Sequence, residues 1–199
     1  YLRKMKVLPN GKILVLNSGQ KERFAFGGNY GPKVNMYRLN ADLTYDDTFN
    51  PISIVTSNSQ DSNDFDIFSD NKILIAGRYK TAENVQYYIA RFNEDGTPDD
   101  SFSFTNRQGM TNFNIIAIAS LKILPNDQIL IGGSFTLDRY TFRARGIAKL
   151  NYDGTVDLSF AGDVISQTFG NVADIDLDSD GNVIIVGSTN NGESLPVFN

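Results

Sequence analysis

Leu124-Pro125-Asn126-Asp127-Gln128-Ile129-Leu130-Ile131 is the stretch whose reading decides the fold. A polar Asn-Asp pair between apolar residues marks a tight turn joining two strands. The run after the turn, Ile129-Leu130-Ile131, has no polar side, so a strand built from it must be covered on both faces. The same pattern stands at Leu8-Pro9-Asn10-Gly11-Lys12-Ile13-Leu14-Val15 and at Phe68-Ser69-Asp70-Asn71-Lys72-Ile73-Leu74-Ile75. A fourth copy is Asp178-Ser179-Asp180-Gly181-Asn182-Val183-Ile184-Ile185. Anchored on Ile13, Ile73, Ile129 and Val183, the copies lie 60, 56 and 54 residues apart.

A second motif follows the first three copies. It reads Arg38-Leu39-Asn40-Ala41-Asp42-Leu43-Thr44, then Arg91-Phe92-Asn93-Glu94-Asp95-Gly96-Thr97, then Lys149-Leu150-Asn151-Tyr152-Asp153-Gly154-Thr155. Each copy runs on into Asp-x-Ser/Thr-Phe, ending at Phe49, Phe102 or Phe160. Two motifs in the same order and at the same period define a repeat protein. The middle strands continue into small residues at Ala76-Gly77, Gly132-Gly133 and Val186-Gly187, where neighbouring backbones can approach closely. The first copy departs from this, with Leu16-Asn17.

These patterns predict an all-β chain, a β-propeller built of about four four-stranded antiparallel blades. Each blade has an inner strand a, a middle strand b, a strand c and a short outer strand d. Stacking blades face to face covers both sides of each middle strand. The repeat units fall at about 1–50, 51–103, 104–161 and 162–199, the last truncated, within one propeller segment spanning 1–199. The chain opens at Tyr1, inside a strand-like pattern, and an open ring leaves edges and faces uncovered. The expectation is therefore a piece of a larger propeller and a longer polypeptide.

Leu124 to Phe135, followed by Gly146 to Phe160, resembles the delta-60 repeat β-propeller family. The resemblance extends over nearly the whole chain and is strongest in the second and third units. It implies a propeller fold and an interaction role, in surface, secreted or phage-associated proteins. It implies no catalytic residue.

Composition narrows the function further. The formal net charge is -5 with no basic block, which argues against nucleic acid as a partner. The 199 residues include no Cys and no His, so thiolate and imidazole metal sites are excluded, as is the commonest general base. No cofactor is expected. No apolar run is long enough to span a bilayer as a helix, and no signal-peptide pattern is visible.

In a four-stranded meander the a–b and c–d turns share one end of each blade, and the b–c and d–a connections share the other. The first set is short. The second reads as long, with b–c connections at about 17–35, 78–86 and 134–145, so binding is expected there. The candidate partner face comprises Arg23, Phe24, Phe26, Tyr30, Arg78, Tyr79, Arg139, Tyr140 and Phe142, with Phe135 nearby. Aromatic and Arg side chains dominate interface energetics. The bland alternative is that these aromatics extend the strands and pack between blades.

Two acidic motifs invite sharper readings. Asp176, Asp178, Asp180 and Gly181 match the start of a calcium loop, but its twelfth position is Gly187 rather than Glu. The repeat alignment instead makes Asp178 to Gly181 an a–b turn. The Asp-x-Ser/Thr-Phe triplets have no His to activate a hydroxyl and recur per blade, so they read as a capped turn with an anchoring Phe. The functional expectation is a non-catalytic scaffold or adhesive module binding a protein or glycan. It would sit among other domains of an extracellular, cell-surface or virion protein, without membrane insertion. The alternative is a carbohydrate-active enzyme using paired carboxylates.

Overall fold

Every repeat anchor opens the second strand of a small sheet. In the computed structural model, residues 2–24, 30–52, 60–80, 85–104, 112–139, 142–160 and 169–189 are described. The first sheet is β1 (Leu2–Val7), β2 (Ile13–Phe24) and β3 (Tyr30–Leu39). The second is β4 (Gln60–Ile67), β5 (Ile73–Lys80) and β6 (Val85–Phe92). The third is β7 (Asn112–Ile123), β8 (Ile129–Arg139) and β9 (Phe142–Leu150), and the fourth is β10 (Phe169–Leu177) with β11 (Val183–Thr189). Strands follow in chain order within each sheet, and neighbours pair antiparallel. Among the described residues there is no helix.

The turn chemistry explains the first connection of each sheet. Across the turns, Leu8, Leu124 and Asp178 each donate a backbone N–H to the carbonyl four residues on, at 2.7, 2.8 and 3.0 Å. The turn position before Lys12, Lys72, Gln128 and Asn182 has a positive φ in every copy, with Gly11, Asn71, Asp127 and Gly181 there. The acidic run of the fourth copy is therefore a hairpin turn. Asp178 Oδ1 accepts from the Asp180 and Asn182 backbone N–H groups at 2.9 and 2.8 Å.

The inner strands share a feature that periodicity alone does not show. Pairing slips by one residue at Arg3 in β1, at Ala119 in β7 and at Ala173 in β10. A bulge at the same repeat position puts Ile118, Leu121 and Ile123 on one face of β7, and Val172, Ile175 and Leu177 on the matching face of β10.

The outer strand d is shorter than expected. Among the described residues the segment after each third strand contributes single bridges, Leu39 to Tyr45, Phe92 to Pro98 and Leu150 to Val156, and Ile52 bridges Met36. The repeated turn residues spend their hydrogen bonds on one another instead of on a ladder.

The chain divides into two compact units: Tyr1–Phe65 with Asn71–Asp99, and Asp66–Asp70 with Asp100–Asn199. In the first, Leu14, Leu16, Met36, Phe65, Leu74, Ile75 and Ala76 are fully buried. In the second, Leu130, Ile147, Val172, Ile175 and Ile185 form one core, flanked by Leu124, Phe160 and Val183. Here β10 lies across the third sheet. A Cβ added at Gly132 would come within 2.6 Å of Val172 and 2.8 Å of Ile175. Glycine at 132 is thus required by the close approach of two sheets, as the small residues at this position implied. Each large side chain buried in this way contributes about 1.5–3 kcal/mol.

Candidate functional site

At one end of each sheet, the residues after the third strand form a repeated polar lock. Asp42, Asp95 and Asp153 each accept through Oδ1 from both the backbone N–H and the hydroxyl of a Thr two residues on, Thr44, Thr97 or Thr155. Asn40, Asn93 and Asn151 donate to the same hydroxyls at 3.0, 3.0 and 2.9 Å. Leu43, Gly96 and Gly154 occupy the left-handed position at the centre of these turns.

The Asp of Asp-x-Ser/Thr-Phe does two jobs. With Oδ1, Asp46 and Asp157 cap the turn, accepting from the backbone N–H and hydroxyl of Thr48 and Ser159. With Oδ2, each carboxylate of this position binds one donor from the turn just before the middle strand and one from the third strand. Asp46 takes Arg38 Nε at 2.5 Å and Lys12 Nζ at 2.8 Å. Asp99 takes Arg91 Nε at 2.8 Å and Lys72 Nζ at 2.9 Å. Asp157 takes Lys149 Nζ at 3.0 Å and Gln128 Nε2 at 3.2 Å. Burial by itself would raise the Asp46 carboxyl, but hydrogen bonds from Lys12, Thr48 and Arg38 outweigh it and hold it far below the usual range. Asp157 is likewise opposed by burial, yet Ser159 and Lys149 lower it to about 2.

Sequence reading identified the capping role and missed the ion pairs. The available signal was the constant spacing of eight residues in Arg38–Asp46, Arg91–Asp99 and Lys149–Asp157. The following Phe reaches onward to the next repeat's turn. Phe49 lies against Gly96, where an added Cβ would meet its ring at 3.0 Å, and Asn50 donates its N–H to Asp95 O at 2.7 Å. Phe102 meets Gly154 at 2.9 Å in the same way, and Ser103 donates to Asp153 O at 2.9 Å. Gly96 and Gly154 are thus fixed twice, by positive φ and by the approaching ring.

The other acidic residues are dispersed rather than gathered. Asp174 accepts from Ser120 Oγ at 2.8 Å and Asp176 from Lys122 Nζ at 2.5 Å. Among the described residues, no group of three His, Cys, Asp or Glu is arranged to hold a metal ion. Hydrogen bonds hold the Asp42, Asp95 and Asp178 carboxyls below their ordinary value as well, those of Asp42 and Asp95 chiefly through Thr44 and Thr97 and that of Asp178 through Asn182.

At the opposite end of the sheets stand the residues expected to form the partner face. The strands run further than the sequence suggested: β2 reaches Phe24 and β3 resumes at Tyr30, with Phe24 opposite Tyr30. In the second sheet Arg78 and Tyr79 lie in β5, opposite Tyr87 and Gln86. In the third, Arg139 ends β8 opposite Phe142, which opens β9. Arg23, Phe24, Tyr30, Arg78, Tyr79, Arg139 and Phe142 are thus strand-end residues, whereas Phe26 and Tyr140 lie outside the described residues. Phe135 does not belong with them. It is buried within β8, because the strand continues past it.

Residues 69–102 and 124–160 match the family described as domain of unknown function (DUF5122) beta-propeller. Two segments of the chain are thus similar to this β-propeller family. Both DUF5122 matches begin in an a–b turn or just ahead of one, and end on the Phe of Asp-x-Ser/Thr-Phe, so each spans one hairpin-and-lock unit. No curated protein matches the chain. Among solved structures, a mannose phosphorylase from Leishmania mexicana, MPT-4 in complex with phosphate ion, aligns at 12% identity with a TM-score of 0.37. The alignment covers 98% of this chain and 64% of that one, so this chain spans less than two thirds of that protein's length.

Proposed function

We propose that these repeats form a non-catalytic interaction module, which binds a protein or glycan partner through the hairpin-tip ends of its sheets. The observation that carries the reading is the unequal use of the two ends of each sheet. At the turn end, the repeated Asp, Asn, Thr and Phe residues are committed to locks and ion pairs that recur with the same geometry. At the other end the residues differ from repeat to repeat, and Arg and aromatic types stand at the strand tips. A rigid repeat that varies at one end is the arrangement that binding scaffolds use.

The same proposal includes blades of four strands in a larger ring. Ile52 and Met36 exchange two backbone hydrogen bonds, at 3.1 and 2.9 Å, which is how an outer strand would begin on β3. It also places the module outside the cell, on a cell surface or on a virion. The test is an array of glycans and glycoproteins probed with the wild type and with a variant carrying Arg78→Ser, Tyr79→Ser and Arg139→Ser. Saturable binding that the triple variant loses, at unchanged melting temperature, is the expected result. Turnover of a glycoside abolished by a single Asp→Asn change would replace this reading with the enzymatic one.

A further inference from the structure

Formal charge is sorted between the two ends of the sheets. The a–b turns at 8–12, 68–72, 124–128 and 178–182, with the c–d turns at 40–49, 93–102 and 151–160, hold 13 of the chain's 23 acidic residues and two of its 18 cations. The b–c hairpin ends at 17–35, 78–86 and 134–145 hold eight cations and three acids. A formal net charge of -5 therefore conceals a turn end at -11 and hairpin ends at +5.

The acids at the turn end already serve the fold. Asp42, Asp95 and Asp153 hold Thr hydroxyls, and Asp46, Asp99 and Asp157 hold the node cations. The hairpin ends have few acids of their own. Glu22 stands opposite Lys33, and Asp138 opposite Arg143. With each acid assigned to that cation, Lys21 and Arg23 remain in excess at the first end, and Arg139 and Arg145 at the third. The second end has Arg78 and Lys80 on β5 against Glu83. The excess recurs in all three sheets, so it does not depend on which sheet stands first or last.

Aromatic residues stand in register with these cations. Residues directly opposite each other across a strand pair share a face of the sheet. Arg78 is opposite Tyr87, and Arg139 is opposite Phe142. At the first end Phe24 follows Arg23 along β2 and is opposite Tyr30. Arg pairs with carboxylates and tetrahedral oxyanions through parallel N–H donors. The negative face of an aromatic ring attracts the polarised C–H groups of a sugar. An acidic polypeptide would meet the cations, but it presents no ring-sized C–H face beside each charge.

We infer that the hairpin ends bind an anionic glycan, a polysaccharide whose sugars bear carboxylate or sulfate groups. The inference rests on the partner face proposed above and names the ligand that it takes. Each end carries its own cations and aromatic residues, so the binding unit is one sheet.

The test uses polymers that differ only in charge. Biolayer interferometry of the full chain is run on polygalacturonate and its methyl ester, on dextran sulfate and dextran, and on polyglutamate as a polyanion without sugars. Saturable binding to the charged member of each sugar pair is expected, at least about tenfold tighter than to the neutral member and weakening as salt rises from about 50 to about 300 mM. Arg78→Gln with Lys80→Gln and Arg139→Gln removes three cations and leaves the aromatic residues, so the affinity for both charged polymers falls at least about tenfold. Arg78→Lys with Arg139→Lys keeps the charge and retains binding. The salt series on the wild type needs no variant, and circular dichroism confirms that each variant folds. Equal affinity for charged and neutral members, binding to no polymer, or polyglutamate bound as tightly as polygalacturonate overturns the inference. A neutral glycan bound through Arg78, Tyr79 and Arg139 would refute the charge argument and leave the partner face standing, whereas an array with no binding that depends on those residues would remove both.

Discussion

Gly132→Ala is the most direct perturbation of sheet-on-sheet packing in the second unit. A Cβ at this position would lie 2.6 Å from Val172 Cγ1, 2.8 Å from Ile175 Cδ1 and 3.1 Å from Ile175 Cγ1. Ordinary carbon contacts begin near 3.5 Å, so the methyl must displace its neighbours by most of an ångström. Both neighbours are buried, in a core that has no slack to absorb the shift. Overpacking of this kind costs roughly 1–3 kcal/mol, which exceeds the gain of about 0.5–1 kcal/mol expected when Ala replaces Gly in an unstrained strand. For a chain of this size, a net loss near 1 kcal/mol lowers the melting temperature by about 2–4 °C. The assay is thermal and denaturant unfolding of four proteins: wild type, Gly132→Ala, Val172→Ala and the double variant. Val172→Ala alone leaves a cavity and destabilises, but it also removes the atom nearest the new methyl. The double variant is therefore more stable than the two single losses together imply, with a coupling of at least about 1 kcal/mol. Gly132→Ala proteins that melt at or above the wild-type temperature, or strictly additive losses, would refute the packing argument.

Two further outcomes follow from the turn end of the sheets. Leu43 holds φ at 68° where the equivalent residues are Gly96 and Gly154, and its side chain is 65% exposed. Left-handed backbone costs a Leu about 1–2 kcal/mol and costs Gly little, so Leu43→Gly is expected to stabilise by up to about 1 kcal/mol once the freer unfolded chain is counted. A higher urea midpoint at unchanged slope checks it. The Asp46 and Asp157 carboxyls are depressed in the folded state, Asp157 to about 2 from an ordinary value of 3.8. A depressed carboxyl adds stability that is present above the unfolded value and is lost as pH falls through the folded one. The melting temperature is thus expected to fall between about pH 4 and pH 2, and Asp157→Asn to fall less steeply there while starting lower at neutral pH. Parallel curves for the two proteins would show that the pairing contributes nothing.

The parts of this architecture that were legible in the sequence are those that a local pattern encodes. Ile13, Ile73, Ile129 and Val183 open equivalent strands because an apolar run after a polar turn can only be a covered strand. Asp46 and Asp157 cap their own turns because the partner N–H lies two residues away. What escaped depends on register between distant segments. Lys12 and Asp46 are 34 residues apart, and they meet only because the first three strands pair as one meander. The bulges at Arg3, Ala119 and Ala173 have no Gly or Pro to announce them. The hairpin tips were read as loops because polar and aromatic residues interrupt the apolar pattern there. The strands continue nonetheless, since a backbone ladder requires no particular side chain beyond the reach of the core.

The ion pairs at the turn end bear on where function can reside. Breaking such a node would leave a charge buried without its partner, so the nodes hold their segments in place as well as adding stability. The third node is informative, because Gln128 stands where Lys12 and Lys72 stand in the others and still reaches Asp157. What all three keep is a hydrogen-bond donor from the start of the middle strand and a cation from the third, converging on one carboxylate. That arrangement fixes the segment after the third strand, and with it the Phe that lies on the next repeat's turn at Gly96 or Gly154. The turn end is therefore what sets one repeat against the next, and a change there is transmitted to the neighbour. The recognition proposed for the hairpin tips would thus use the end that this registration does not.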